Sequence, residues 1–194
     1  SAASDVYKRQ TQADIVNAVE EETAQTPDDN ATRVMHYSVN HDVAAEKSVD
    51  QLFGSAAGAD AAYAIALFTG GTPMFYTSQL IDYQGTASFF TYEASAFNSS
   101  KIAKVKSINE IFKSTADVRQ GQLRMFRAGK CVLLEYVLGD SRLVLAANPN
   151  DRAFDVKMPI EVAGETVTEL ISGTQTTMPV AVTLEPYQYI IYRK

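Results

Sequence analysis

The ten residues Arg33-Val-Met-His-Tyr-Ser-Val-Asn40-His41-Asp42 read as a mostly apolar strand that runs into a polar tip. A second strand follows at Thr72-Pro-Met-Phe-Tyr76. Between them lies an apolar helix, predicted over residues 57–68, in which Ala59, Ala61, Ala62, Ala64 and Ala66 permit close packing of helix on sheet. Strand, helix and strand in that order make a βαβ unit with parallel strands. Gly70-Gly71 precede the second strand without the Gly-x-x-x-x-Gly-Lys spacing of a phosphate loop, so they read as helix-stop residues.

Polar groups at the C-terminal ends of buried parallel strands are where barrel enzymes keep their chemistry. Asn40-His41-Asp42 and Gly71-Thr-Pro-Met-Phe-Tyr76, with the helix between them, resemble the last two strand-helix units of the catalytic barrel in alpha-amylase family glycoside hydrolases. The resemblance implies roles by position. His41 would hydrogen-bond hydroxyls of the sugar at the cleavage point, with Asn40 beside it. Asp42 would bind two hydroxyls of that ring and stabilise its distorted transition state, an effect worth about several kcal/mol. Alone, Asn-His-Asp is a weak tripeptide, and a lone His at a strand end is ordinarily a hydrogen-bonded structural residue. The surrounding strands and helix give it weight here, whereas His36, inside the first strand, reads as structural.

Many family members continue the second strand with a Gly, then Gln or Asp, then Glu; this chain has Ser78-Gln79-Leu80. Gln79 is retained as a candidate substrate contact, and Leu80 removes a carboxylate. Tyr83 offers an aromatic face for a sugar, while Phe89 and Phe90 are expected in a core. The family's nucleophile and general acid lie on strands upstream of anything present here. Asp42 would be only the third carboxylate, and neither Glu93 nor Glu135 is placed to replace the missing pair. The resemblance therefore implies an inactive fragment of a larger alpha-glucan hydrolase. Two other readings stay open: a non-catalytic barrel relative, and a carbohydrate-binding module.

The rest of the chain fits a mixed fold, an α/β part followed by an all-β part. A helix is predicted from Thr11 to Thr26, with Ile15, Val16 and Val19 on one side and Glu20 to Glu22 toward water. Another is predicted from Phe97 to Lys113. Beyond Asp117 the pattern changes to short strands at residues 123–126, 131–138, 143–147, 154–156, 167–171 and 187–192, separated by Gly- and Asn-rich turns. That spacing predicts an antiparallel β-sandwich. The expected organisation is thus the C-terminal portion of a (β/α)8 TIM barrel over 11–117 and a sandwich domain over 118–194. Ser1 to Gln10 resemble a translated sequencing adapter and are set aside as an artefactual leader.

A net charge of −6 argues against nucleic acid as partner and suits a neutral polysaccharide such as an alpha-glucan. No apolar run reaches the roughly 20 residues a membrane helix needs. Nothing here reports on localisation or oligomeric state. No cofactor is visible: no His, Cys, Asp and Glu set has metal-ligand spacing, and calcium in a full-length parent would take its ligands mainly upstream. Cys131, the single cysteine, reads as a buried thiol. Two of eight barrel strands leave an open sheet edge with apolar faces, so residues 11–194 expressed alone are expected to self-associate. Sedimentation of a stable monomer would contradict that expectation.

Overall fold

A computed structural model describes residues 12–25, 34–82 and 97–194. Helix α1 (Gln12–Gln25) comes first and approaches the later sheet. Val19 on it is half-buried and Glu20 and Glu21 are exposed; the side chains of Ile15 and Val16 lie outside the described residues. Strand β1 (Met35–His36) pairs in parallel with β2 (Thr72–Pro73), Met35 opposite Thr72 and His36 opposite Pro73. The βαβ reading holds, but both strands are far shorter than expected. Tyr37, Ser38 and Val39 continue from β1 as buried chain.

Two short helices, α2 (His41–Glu46) and α3 (Val49–Leu52), follow the end of β1. The signal for the second was legible: Ser48-Val-Asp-Gln51 is a capping box, with both reciprocal hydrogen bonds formed. Helix α4 (Ala56–Phe68) is buried almost all round. Gly58 in its first turn is obligatory, since a Cβ there would stand 2.2 Å from the Phe53 carbonyl oxygen. At the far end Gly71 has φ +65°, and a Cβ would stand 2.6 Å from the Val34 oxygen. The double glycine is helix-stop chemistry that also lets the chain turn tightly into β2.

Helices α5 (Ser99–Ser114) and α6 (Ala116–Gln120) lead into the β part. Its strands are β3 (Gln122–Ala128), β4 (Cys131–Leu138), β5 (Ser141–Ala147), β6 (Phe154–Lys157), β7 (Thr166–Glu169), β8 (Thr174–Thr177), β9 (Ala181–Leu184) and β10 (Tyr189–Arg193). Six form one sheet in the order β3-β4-β5-β10-β7-β8, and β6 and β9 pair separately. Two strands escaped the sequence reading. β8 is exposed along its whole length and has no apolar alternation to betray it. β9 does alternate, with Val182 and Leu184 inward, but is short and follows Pro179.

The sandwich has unequal layers. One face of the six-stranded sheet, including Cys131, Leu133, Val144, Ala146, Ile190 and Tyr192, packs with Val156 of β6 and Leu184 of β9. The opposite face, including Val132, Leu134, Tyr136, Leu143, Leu145 and Ile191, packs with Tyr63, Ile65, Leu67 and Phe68 of α4 and with Val105 and Ile108 of α5. Covered on both sides, β4 has six consecutive buried residues from Cys131 to Tyr136 where a one-sided strand would alternate. The chain changes from helix to strand near the expected boundary at 117/118, yet the apolar core runs across it.

Tyr136 fastens that core. Its hydroxyl donates to the Phe68 carbonyl at 3.0 Å and accepts from the Gly70 N–H, so a side chain of β4 satisfies the open end of α4. Burial pushes its phenol well above the ordinary tyrosine range, against the smaller opposing effect of the Gly70 hydrogen bond. Tyr136→Phe leaves both backbone groups without this partner and is expected to cost about 1–3 kcal/mol, read as a lowered midpoint in chemical denaturation with an unchanged m-value.

Candidate functional site

The site region is built on a small apolar cluster of Val39, Ala44, Val49, Phe53, Ala59 and Ala62. It seats α2 and α3 on the first turns of α4. Asn40 is the N-cap of α2: its side-chain oxygen accepts from the Val43 N–H at 3.0 Å, and its amide nitrogen donates to the Tyr37 hydroxyl at 3.3 Å. The expected polar strand tip is therefore a helix start, and Asn40 serves the backbone there.

His41 and Asp42 form the first turn of α2, with side chains 63% and 75% exposed and His41 Nε2 3.3 Å from Asp42 Oδ1. The two groups stand together on the surface. Gln79 is elsewhere in character. It is 2% exposed; its oxygen accepts from the Ser38 hydroxyl at 3.1 Å and its amide donates to the Ala59 carbonyl at 3.1 Å. It joins the chain after β1, the turn after β2 and α4, and both ends of its amide are engaged inside the protein. Leu80 packs against the main core, which gives the hydrophobic residue at this position a physical reason. Tyr83, Phe89, Phe90 and Glu93 lie outside the described residues.

His36 is buried, its Nδ1 3.2 Å from the Thr69 hydroxyl, and its ring lies against Gly71. It holds β1 to the end of α4, as its position inside the strand suggested. Glu135 is fully buried on β4 and paired with Arg142 at 3.0 Å and Arg124 at 3.7 Å. Cys131 is fully buried and burial pushes its thiol up to about 11, so at neutral pH it is a protonated, inaccessible group.

Tyr189 packs against the helix-facing core and Tyr192 is buried in the other, so these two tyrosines do not form a row of exposed rings. Among the described residues no group of three or more His, Cys, Asp or Glu could hold a metal ion, and no helix is long and apolar enough to cross a membrane. A cavity of about 380 Å³ lies at the other end of the parallel pair, between Gly70, Gly71, Phe112, Val118 and Tyr136. Its lining does not include His41 or Asp42.

The parallel pair with its helices, followed by the two-layered antiparallel part, is the fold of the C-terminal portion of alpha-amylase chains. No protein family description and no curated protein matches the sequence. Among solved structures, the alpha-amylase of Geobacillus thermoleovorans, solved with acarbose, superposes with a TM-score of 0.74 at 12% identity over 97% of this chain. An alpha-amylase from Lactobacillus plantarum gives 0.77 at 16% identity over 98%, and a cyclomaltodextrin glucanotransferase with a three-domain ABC distribution gives 0.76 at 14% over 100%. The chain spans 46%, 44% and 42% of those three chains, less than half of each.

Gln79→Leu removes the amide that joins Ser38 to Ala59. It is expected to lower stability by about 1–3 kcal/mol in urea denaturation.

Proposed function

We propose that this chain is the C-terminal portion of an alpha-amylase-type glycoside hydrolase that acts on alpha-1,4-glucans with retention of configuration. One observation carries the reading: His41 and Asp42 stand side by side and exposed, a few residues beyond the C-terminal end of the first strand of a parallel pair, in a fold shared with alpha-amylases. In such a barrel that end of the strands faces the substrate.

In this reading the His41 imidazole donates to a ring hydroxyl of the glucose unit at the cleavage point. The Asp42 carboxylate accepts from two hydroxyls of the same ring, and these bonds shorten as the ring flattens toward an oxocarbenium ion. Asn40 acts one step back, holding the α2 start that aims both side chains. Gln79 acts as a positioning residue, since its amide is engaged with Ser38 and Ala59. The nucleophile and general acid belong to upstream strands, so the chain alone binds without hydrolysing. Calcium in a full-length parent would take its ligands mainly upstream.

Leu80 favours a second reading, a barrel relative that kept the fold and lost catalysis, because an apolar residue packed into the core stands where many family members carry a carboxylate. The independent binding-module reading has less support. Removing α4 and α5 from residues 118–194 would bare the sheet face formed by Val132, Leu134, Leu143, Leu145 and Ile191.

The chain contains two histidines, His36 buried and His41 exposed, so one is an internal control for the other. Titration with maltoheptaose is expected to shift the His41 ring signals saturably and leave those of His36 in place; no shift at His41 would sink the glucan reading. With the upstream coding sequence recovered, Asp42→Asn in the full-length protein is expected to lower kcat on the order of a hundredfold to a thousandfold. A parent lacking an upstream Asp and Glu on barrel strands would instead establish the non-catalytic relative.

A further inference from the structure

A lysine in the first turn of a helix opposes the helix dipole, and Lys101 stands there in α5 with its side chain 9% exposed. Its surroundings explain why it is tolerated. Nζ donates to Asp50 Oδ2 of α3 at 2.8 Å and to the Ile81 carbonyl at 3.2 Å, and lies 3.0 Å from Asp82 Oδ1. Burial pulls the ammonium toward neutrality, but the hydrogen bonds and charges of Asp50 and Asp82 together outweigh it and hold Lys101 above the ordinary lysine value. Asp82 is further held by the side-chain amide of Asn98, whose own oxygen caps α5 through the Ser100 and Lys101 N–H groups. One cation thus reaches three pieces of chain: α3, which follows the helix carrying His41 and Asp42; the segment that runs from Gln79 toward residue 83; and α5.

We propose that Lys101 is a positioning residue, the tie that sets the segment bearing His41 and Asp42 against the segment leaving Gln79. The proposal rests on the glucan-site reading above. A neighbouring pair, Asp60 with Lys104 at 2.7 Å, joins α4 to α5 but touches neither segment, so it serves as a comparison. A buried ion pair is poor evidence of stability in its own right, because desolvation offsets attraction. Asp82 is 59% exposed and can be solvated when the ammonium is gone, and Asp50 is 28% exposed although its Oδ1 is buried without a hydrogen-bond partner. The consequence of removing the ammonium is loosened geometry more than global unfolding.

Hydrogen exchange on the full chain, read by mass spectrometry, tests this. Lys101→Met is expected to raise exchange roughly tenfold in peptides covering 41–52 and 77–82 while 132–147 stays unchanged, and Lys101→Arg, which keeps the cation, should recover most of that protection. Asp50→Asn should loosen 41–52 alone and Asp82→Asn 77–82 alone, which keeps the proposal testable if Lys101→Met fails to fold. Lys104→Met should loosen neither segment. Equal loosening of all three regions, or none outside α5, would overturn it. Maltoheptaose titration of the same variants separates the two claims: Lys101→Met should weaken the His41 response roughly tenfold with rescue by Lys101→Arg. An unchanged His41 response in Lys101→Met overturns the positioning role, whereas a wild-type chain that never responds removes the glucan reading and leaves the exchange pattern to decide the tie.

Discussion

Burial of one sheet on both faces is the constraint on which the rest of this molecule depends. β4, β5 and β10 form the middle of the six-stranded sheet, with helices against one side and the β6–β9 pair against the other. Apolar burial contributes on the order of 25 cal/mol per Å² removed from water, so a sheet covered twice yields more per residue than a half-exposed one. The same arrangement makes α4 inseparable from the β part. Tyr136 satisfies backbone groups at the end of α4 from within β4, and the helix must stop where that hydroxyl can reach it.

A doubly covered sheet leaves little room for charge, and the charged groups it holds are paired accordingly. Glu135 lies between Arg142 on the next strand and Arg124 directly across on β3. Asp117, fully buried in α6, meets Arg193 of β10 at 2.9 Å and so ties the short helix before the sheet to the last strand. Isolated carboxylates at such positions would be costly, and arginine partners with partial access to solvent offset that cost. The Asp117–Arg193 pair brings together residues far apart in sequence and ties α6 to the end of β10.

The site region is organised differently. Its apolar cluster is small, and polar contacts carry much of the geometry: Gln79 between Ser38 and Ala59, Asn40 at the start of α2, and Lys101 among α3, α5 and the chain after β2. Such contacts are directional. They set where side chains point with less bulk than a core needs, on a surface where His41 and Asp42 stand exposed.

Much was legible in residue order alone. The all-apolar α4 with its double-glycine stop, the βαβ order, and strands such as Cys131 to Leu138 follow from periodicity and turn chemistry, which act over a few residues and are written locally. Other features were decided by tertiary structure. Gln79 looks on paper like a ligand contact because nothing in its neighbours reveals that Ser38 and Ala59 come to meet it. Glu135 reads as an interruption until strand pairing supplies Arg142 and Arg124. The exposed Thr174 to Thr177 pairs as β8 only because β7 offers an edge. Local sequence determines which backbone states are cheap; which side chains are buried, paired or left open depends on residues on other elements, and those meet only when the chain has folded.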